Sequence, residues 1–150
     1  VYGMTKGQPS PTTEPDWSSK LAPGGTGLRE FHPLVIALAS GANFIARVSS
    51  SDPINMAQIM VEAIRHPGFS LVQVLSPCVT FRPEQAEWRD TVRTAVVDYT
   101  DDAARAARRL MTDDGFNVGK VLFKGNRPPF RPEFEHTDGS VAELEARFAL

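Results

Sequence analysis

Apolar and polar positions alternate along the chain in patterns that separate helices from strands. Leu34 to Ser40 is a compact apolar run that stops at Gly41, which predicts a helix closed by a C-terminal glycine. Phe44-Ile45-Ala46-Arg47-Val48 is short and mostly apolar, as a buried strand requires. Met56, Ile59, Met60, Ala63 and Ile64 recur at intervals of three and four, giving one apolar helical stripe. Asp52 precedes that stripe as an N-cap, Pro53 takes the first helical position, and His66-Pro67-Gly68 ends it. Phe69 to Leu75, rich in Val and Leu, predicts a second strand. Strand, helix and strand with a crossover of this size imply a right-handed βαβ unit and hence a parallel sheet.

The remainder is less regular. Pro83 to Val97 is mixed. Asp101 to Met111 is rich in Ala and Arg, with its acids first and Arg108 and Arg109 late, an order that suits a helix dipole. Val118 to Phe123 is a third strand candidate, Arg127-Pro128-Pro129-Phe130-Arg131-Pro132 an extended tail, and Val141 to Phe148 a short terminal helix. The N-terminal stretch is interrupted by Gly3, Gly7, Pro9, Pro11, Pro15, Pro23, Gly24, Gly25 and Gly27, a density that denies it a long helix or a central strand. A loop of this length inside a compact domain is either functional or disordered. Its few charges and its Val1, Tyr2, Met4, Trp17 and Leu21 argue against disorder.

Composition narrows the classes. The chain has 150 residues, 16 Lys and Arg against 18 Asp and Glu, and one cysteine. That length suits one modest domain, and the near balance of charge excludes a strongly basic nucleic-acid binder. A single cysteine forms no internal disulfide, so a reducing, cytoplasmic setting fits. No apolar run approaches the roughly 20 residues of a membrane helix, and no basic stretch followed by an apolar run reads as a signal peptide. The chain opens on Val1 rather than Met, which reads as the start of a piece of something longer.

Two segments could carry chemistry. Cys78, in Ser76-Pro77-Cys78, follows the second strand directly, and ligands of open α/β sheets bind beyond strand carboxyl ends. It is either a small buried hydrophobe or a thiolate ligand. A nucleophile would need a partner that the sequence does not assign, and a metal or cluster site would need more thiolates than this chain has. The other segment is Val1-Tyr2-Gly3-Met4-Thr5-Lys6-Gly7-Gln8-Pro9-Ser10-Pro11-Thr12-Thr13. Its glycines would let backbone amides approach a ligand, and Lys6 offers a cation for a phosphate or carboxylate. It lacks the spacing of a P-loop. Gly24-Gly25-Thr26-Gly27 reads as a linker, and His32 and His136 lack metal-ligand spacing. Met56 and Met60 read as core, and Arg105, Arg108 and Arg109 as a solvated helix face.

Val1-Tyr2-Gly3-Met4-Thr5-Lys6-Gly7-Gln8 with Ser10-Pro11-Thr12 closely resembles the conserved loop of the β subunit of 2-oxoacid:ferredoxin oxidoreductases. Ala46-Arg47, Ala63-Ile64, His66-Pro67-Gly68-Phe69 and Ser76-Pro77-Cys78 look like its continuation, so the resemblance covers about the first eighty residues. It implies the thiamine diphosphate-binding fold, a three-layer α/β arrangement with a parallel sheet and helices on both faces, present here incompletely. Residues 1–82 would be the C-terminal half of that domain and 83–150 the family's variable extension.

The resemblance also implies thiamine diphosphate held through Mg²⁺, and one [4Fe–4S] cluster. The backbone carbonyl of Val1 would be a Mg²⁺ ligand, as suits a hard cation. Gly3 and Met4 would contact the cofactor, Lys6 with Thr5 before it would lie near the substrate carboxylate, and Cys78 would be one cluster ligand. The other cluster cysteines and the metal-binding Asp and Asn belong to the family's N-terminal half and have no counterpart here, so the chain alone should be inactive. The implied complete enzyme decarboxylates a 2-oxoacid oxidatively to an acyl-CoA, with coenzyme A as co-substrate, and passes electrons through the cluster to ferredoxin. Its partner would be an α subunit in a hetero-oligomer, with no role for nucleic acid or membrane. Lys6, where some members have Gly, points toward 2-oxoglutarate or a broad-range enzyme. Two rival readings are another thiamine-dependent decarboxylase without a cluster, and a non-catalytic subunit-docking module. In the latter the Arg-Pro-Pro-Phe tail and the Ala/Arg helix would form the contact surface; the arginines could also dock ferredoxin.

Overall fold

The computed structural model describes residues 4–94, 99–128 and 140–148. The first regular element is helix α1, Pro33–Ala39, and Gly41 follows it with φ 91°. Strand β1, Phe44–Ser49, is buried at every position. Helix α2, Pro53–Arg65, starts where the Asp52 carboxylate accepts a hydrogen bond from the Asn55 N–H at 3.1 Å, and His66 ends it as expected. Strand β2, Ser70–Leu75, pairs in parallel with β1, so the βαβ unit forms as the pattern predicts.

Later elements are shorter. A 3-10 turn at Pro83–Glu87 runs into α3, Trp88–Thr91, and then β3, Arg93–Thr94. Helix α4, Ala103–Thr112, is capped by Asp102, whose carboxylate accepts from the N–H groups of Ala104 and Arg105 at 2.8 and 3.1 Å. The single strand expected over Val118–Phe123 is divided into β4, Asn117–Val118, and β5, Lys120–Lys124. Gly119 breaks it: its φ of 79° is left-handed, and its N–H turns to the Arg47 carbonyl at 2.8 Å. Helix α5, Val141–Phe148, opens with Ser140 and Glu143 bonded to each other's backbone, a capping box.

The main sheet has the order β2-β1-β5, and β5 runs antiparallel to β1. The described sheet is therefore mixed. A purely parallel pairing was expected, but β5 returns from α4 along the opposite direction. Strands β3 and β4 form a separate parallel pair. Helices cover both faces of the sheet. Ile45 and Phe123 pack with Leu34 and Ala37 of α1 and Ala106 and Leu110 of α4. Phe44, Ala46, Val48 and Val121 pack with Ile59 and Ala63 of α2.

The α2 stripe is narrower than its spacing suggests. Ile59, Ala63 and half-buried Met56 face the sheet, whereas Met60 and Ile64 point away, Ile64 with 83% of its surface exposed. The expectation that Met60 is core is thus corrected. At about 100° per residue the apolar stripe spans more of the helix surface than the sheet covers.

Candidate functional site

Two loops meet at the carboxyl end of β2. The first is the N-terminal segment, which has no helix or strand between residues 4 and 32 but is ordered by its own hydrogen bonds. The Thr13 N–H donates to the Ser10 carbonyl at 2.9 Å, and the Ser10 N–H to Thr13 Oγ1 at 2.7 Å. The Phe31 N–H reaches the Pro11 carbonyl at 2.9 Å and so closes the loop on itself. The second loop is the turn after β2. The N–H groups of Phe81 and Arg82 both donate to the Cys78 carbonyl, at 3.2 and 2.8 Å, and the Cys78 N–H donates to Gln85 Oε1 at 2.9 Å. Gln85 is 2% exposed, so the Cys78 backbone is held from both sides.

Side chains from the turn grip the first loop. Buried Gly7 lies against Phe81: a Cβ there would stand 3.3 Å from the ring. The Arg82 guanidinium, 6% exposed, donates to both Glu14 oxygens, Nη1 at 2.6 Å and Nη2 at 3.3 Å. It also stacks over the Trp17 ring at 4.6 Å, and its Nε donates to Glu84 at 2.5 Å. The Arg82 hydrogen bonds hold the Glu14 carboxyl below the usual carboxylate range. At Glu84 burial pushes upward, and the hydrogen bonds from Arg82 and the backbone outweigh it.

The expected site residues can now be placed. Val1 and Gly3 lie outside the described residues, as do His136 and the tail beyond Pro128. Met4 is 94% exposed, Thr5 and Lys6 are exposed, and Lys6 has a left-handed φ of 57°. Cys78 is a half-buried free thiol. The loop of Lys6 and the turn of Cys78, chosen separately in the sequence, are thus neighbours through Gly7 and Phe81. Phe81, Arg82, Gln85 and Glu14 were not expected to matter. Arg82 and Glu14 are 68 residues apart, and no local periodicity signals such a pair.

A second polar centre lies on the sheet face covered by α1 and α4. Arg47 donates through Nη1 to Asp113 at 2.5 Å and through Nε to Gln73, its register partner on β2, at 2.8 Å. Asn117 donates to the other Asp113 oxygen at 2.6 Å. This network lines a cavity of about 390 Å³, together with Glu14, Glu30, His32 and the edge-to-face pair Trp88 and Phe116. Among the described residues, no three His, Cys, Asp or Glu side chains converge as a metal site. No helix among them is long and apolar enough to cross a membrane.

Residues 1–74 match the family described as thiamine pyrophosphate enzyme, C-terminal TPP binding domain. The 2-oxoacid:ferredoxin oxidoreductase subunit beta of Saccharolobus solfataricus is 37% identical over 81 residues, 54% of this chain and 27% of that one. The 2-oxoglutarate synthase subunit KorB of Methanothermobacter marburgensis is 30% identical over 152 residues, 100% of this chain and 53% of that one. The chain is a relative of the 2-oxoacid:ferredoxin oxidoreductase β subunits. In structure it is similar to a 2-oxoglutarate:ferredoxin oxidoreductase from Magnetococcus marinus, solved with 2-oxoglutarate, coenzyme A and succinyl-CoA bound. There the TM-score is 0.75 at 28% identity, over 99% of this chain and 50% of that one. The chain therefore spans about half the length of that β-subunit relative and of that solved chain. The family match includes the Lys6 loop, α1, β1, α2 and most of β2, and it ends before Cys78.

Proposed function

We propose that this chain is part of the catalytic β subunit of a cytoplasmic 2-oxoacid:ferredoxin oxidoreductase, acting on 2-oxoglutarate. The reaction is oxidative decarboxylation to the acyl-CoA with ferredoxin as electron acceptor. The observation that carries this reading is the meeting of the Lys6 loop and the Cys78 turn at the carboxyl end of β2, within a chain related to β subunits along its whole length. On the same reading residues 1–82 are the C-terminal half of a thiamine diphosphate-binding domain, and 83–150 an extension built onto it. Strand β5 of that extension already pairs with β1. The parallel three-layer sheet of that fold would be completed by strands from outside this chain.

The described residues fit one edge of a thiamine diphosphate site. Met4, Thr5 and Lys6 are three consecutive exposed residues beside buried Gly7. In this reading Val1 (through its carbonyl, to Mg²⁺), Gly3 and Met4 hold the cofactor. When bound, thiamine diphosphate supplies the electron sink for decarboxylation. Lys6 pairs with a substrate carboxylate as a compact, strongly hydrated cation. Thr5 offers a hydroxyl that donates to or accepts from the same ligand. Lys6 itself has a left-handed backbone and is exposed, while Gly7 beside it stays packed.

The cluster does not fit this chain alone. A [4Fe–4S] cluster takes four thiolates, and the chain has one cysteine. Cys78 is proposed as one ligand of a set completed outside this chain, and no electron route is derived from it. The exposed Ile54 and Ile64 on the outer side of α2 support a further subunit surface, consistent with an α-subunit partner.

The test uses the complete enzyme, purified anaerobically. Cys78→Ala should lose iron and acid-labile sulfide while keeping the far-ultraviolet circular dichroism of the parent. Unchanged iron content removes Cys78 as a ligand, and an enzyme without any iron removes the ferredoxin-linked reading in favour of a cluster-free decarboxylase. Lys6→Ala should raise KM for 2-oxoglutarate more than for pyruvate; equal effects would remove the 2-oxoglutarate assignment.

A further inference from the structure

Lys6 holds a backbone conformation that non-glycine residues seldom adopt, with φ 57°. Such a conformation lasts only where its surroundings enforce it. Two neighbouring residues of the Cys78 turn do so. Phe81 seats Gly7, the residue next to Lys6, which itself has φ 101°. Arg82 takes hold farther along the same loop, at Glu14 and Trp17. Between these two grips the loop folds on the Ser10–Thr13 turn, so its ends do not move independently. Both Phe81 and Arg82 hang by their N–H groups on the Cys78 carbonyl.

Arg82 suits this task for reasons of geometry. Its planar fork meets both Glu14 oxygens, its flat face lies on Trp17, and its Nε is occupied by Glu84. Lysine, with one ammonium, cannot make the three contacts together. Arg82 is as buried as Arg47, yet Arg82 ties two loops together, whereas Arg47 joins a strand to the end of α4.

We propose that Arg82 is a positioning residue of the 2-oxoacid site: with Phe81 it fixes the Lys6 loop against the Cys78 turn and so holds the Lys6 ammonium where the substrate carboxylate is bound. Arg82 acts through Lys6, and this rests on the reading of Lys6 given above.

The test uses the complete holoenzyme with Arg82→Met, Arg82→Lys, Lys6→Ala and the double variant Arg82→Met/Lys6→Ala. Arg82→Met should speed amide exchange at Thr13 and Trp17, whose N–H groups are bonded within the loop, by about tenfold or more and leave β1 unchanged, because only the loop loses its anchor. KM for 2-oxoglutarate should rise about fivefold to tenfold with kcat altered by less than about twofold, the pattern of lost ground-state positioning. Arg82→Lys should fall between. In the Lys6→Ala background, Arg82→Met should add nothing further to KM, because the two residues act on one contact. An equal rise in both backgrounds, or unchanged exchange at Thr13 and Trp17, overturns the proposal. Unchanged KM in Lys6→Ala with fast exchange in Arg82→Met removes the Lys6 assignment and keeps the brace. Raised KM in Lys6→Ala with parental exchange in Arg82→Met does the reverse. Glu14→Gln, which keeps shape and removes charge, reads the same effects at smaller size if Arg82→Met does not assemble.

Discussion

The sheet around β1 and the loop around Lys6 are held by opposite means. Every residue of β1 is buried, and its two faces are packed by different helices. Many small apolar contacts share that work, so none is unique, and any side chain of similar size and shape would serve nearly as well. The Lys6 loop contributes few residues to that core. It is ordered by hydrogen bonds within itself and is tied to the Cys78 turn by a few directional contacts, at Arg82 and Phe81. An apolar core fails in proportion to the volume removed, whereas a loop on one arginine fails at one residue. That places the proposed substrate contact on the part of the molecule that a single change can move without unfolding the rest.

The largest effect should come from breaking the core. Phe44 has no exposed surface, and Phe44→Ala should cost about 3–5 kcal/mol through lost burial and the cavity left behind. Hydrogen exchange across β1 and β2 in the complete subunit reads it, and a loss confined to the Lys6 loop would contradict the contrast. Asp113→Ala comes next. It leaves the Arg47 guanidinium buried without its carboxylate, at about 3 kcal/mol. Asp113→Asn should cost less, because the amide oxygen can still accept.

Acid should act on the loop before it acts on the core. Glu14 is held below its ordinary value of 4.5, by Arg82 foremost. A depressed carboxylate contributes stability that is complete above its unfolded pKa and is lost as pH falls through the folded one. Glu84, also lowered and also on Arg82, follows the same sign. Exchange at Thr13 and Trp17 should therefore rise as pH falls below about 4.5, once corrected for intrinsic rates, while β1 stays protected. Simultaneous loss of both would mean that the brace is not a separate unit. The smallest effect should come from the surface. Glu62→Ala removes the 2.9 Å ion pair with Lys124, half-exposed on both sides, and should change stability by less than about 0.5 kcal/mol.

The core was legible because its signals are local. Apolar spacing, Asp52 before Pro53, and Gly41 after the last apolar residue of α1 placed the early elements within a residue or two. The later region was legible in part. The Val118–Phe123 run reads as one strand, but the left-handed turn at Gly119 divides it, and hydrophobicity carries no sign of backbone φ. The stripe of α2 was read too wide, since a sequence shows which face is apolar but not how much floor lies beneath it. For the site, residue types in order sufficed to single out the Lys6 loop and Cys78.

The sequence by itself determined the βαβ unit, the two chemically distinctive loops, and the family they resemble, because each depends on residues close together in the chain. Only the tertiary structure decided that β5 runs antiparallel, that Arg47 is bonded to Asp113, and that Arg82 joins the two loops. Those outcomes depend on pairs more than sixty residues apart. Such pairs form only after the sheet has brought their loops together, and until then a buried arginine and a solvated one look alike.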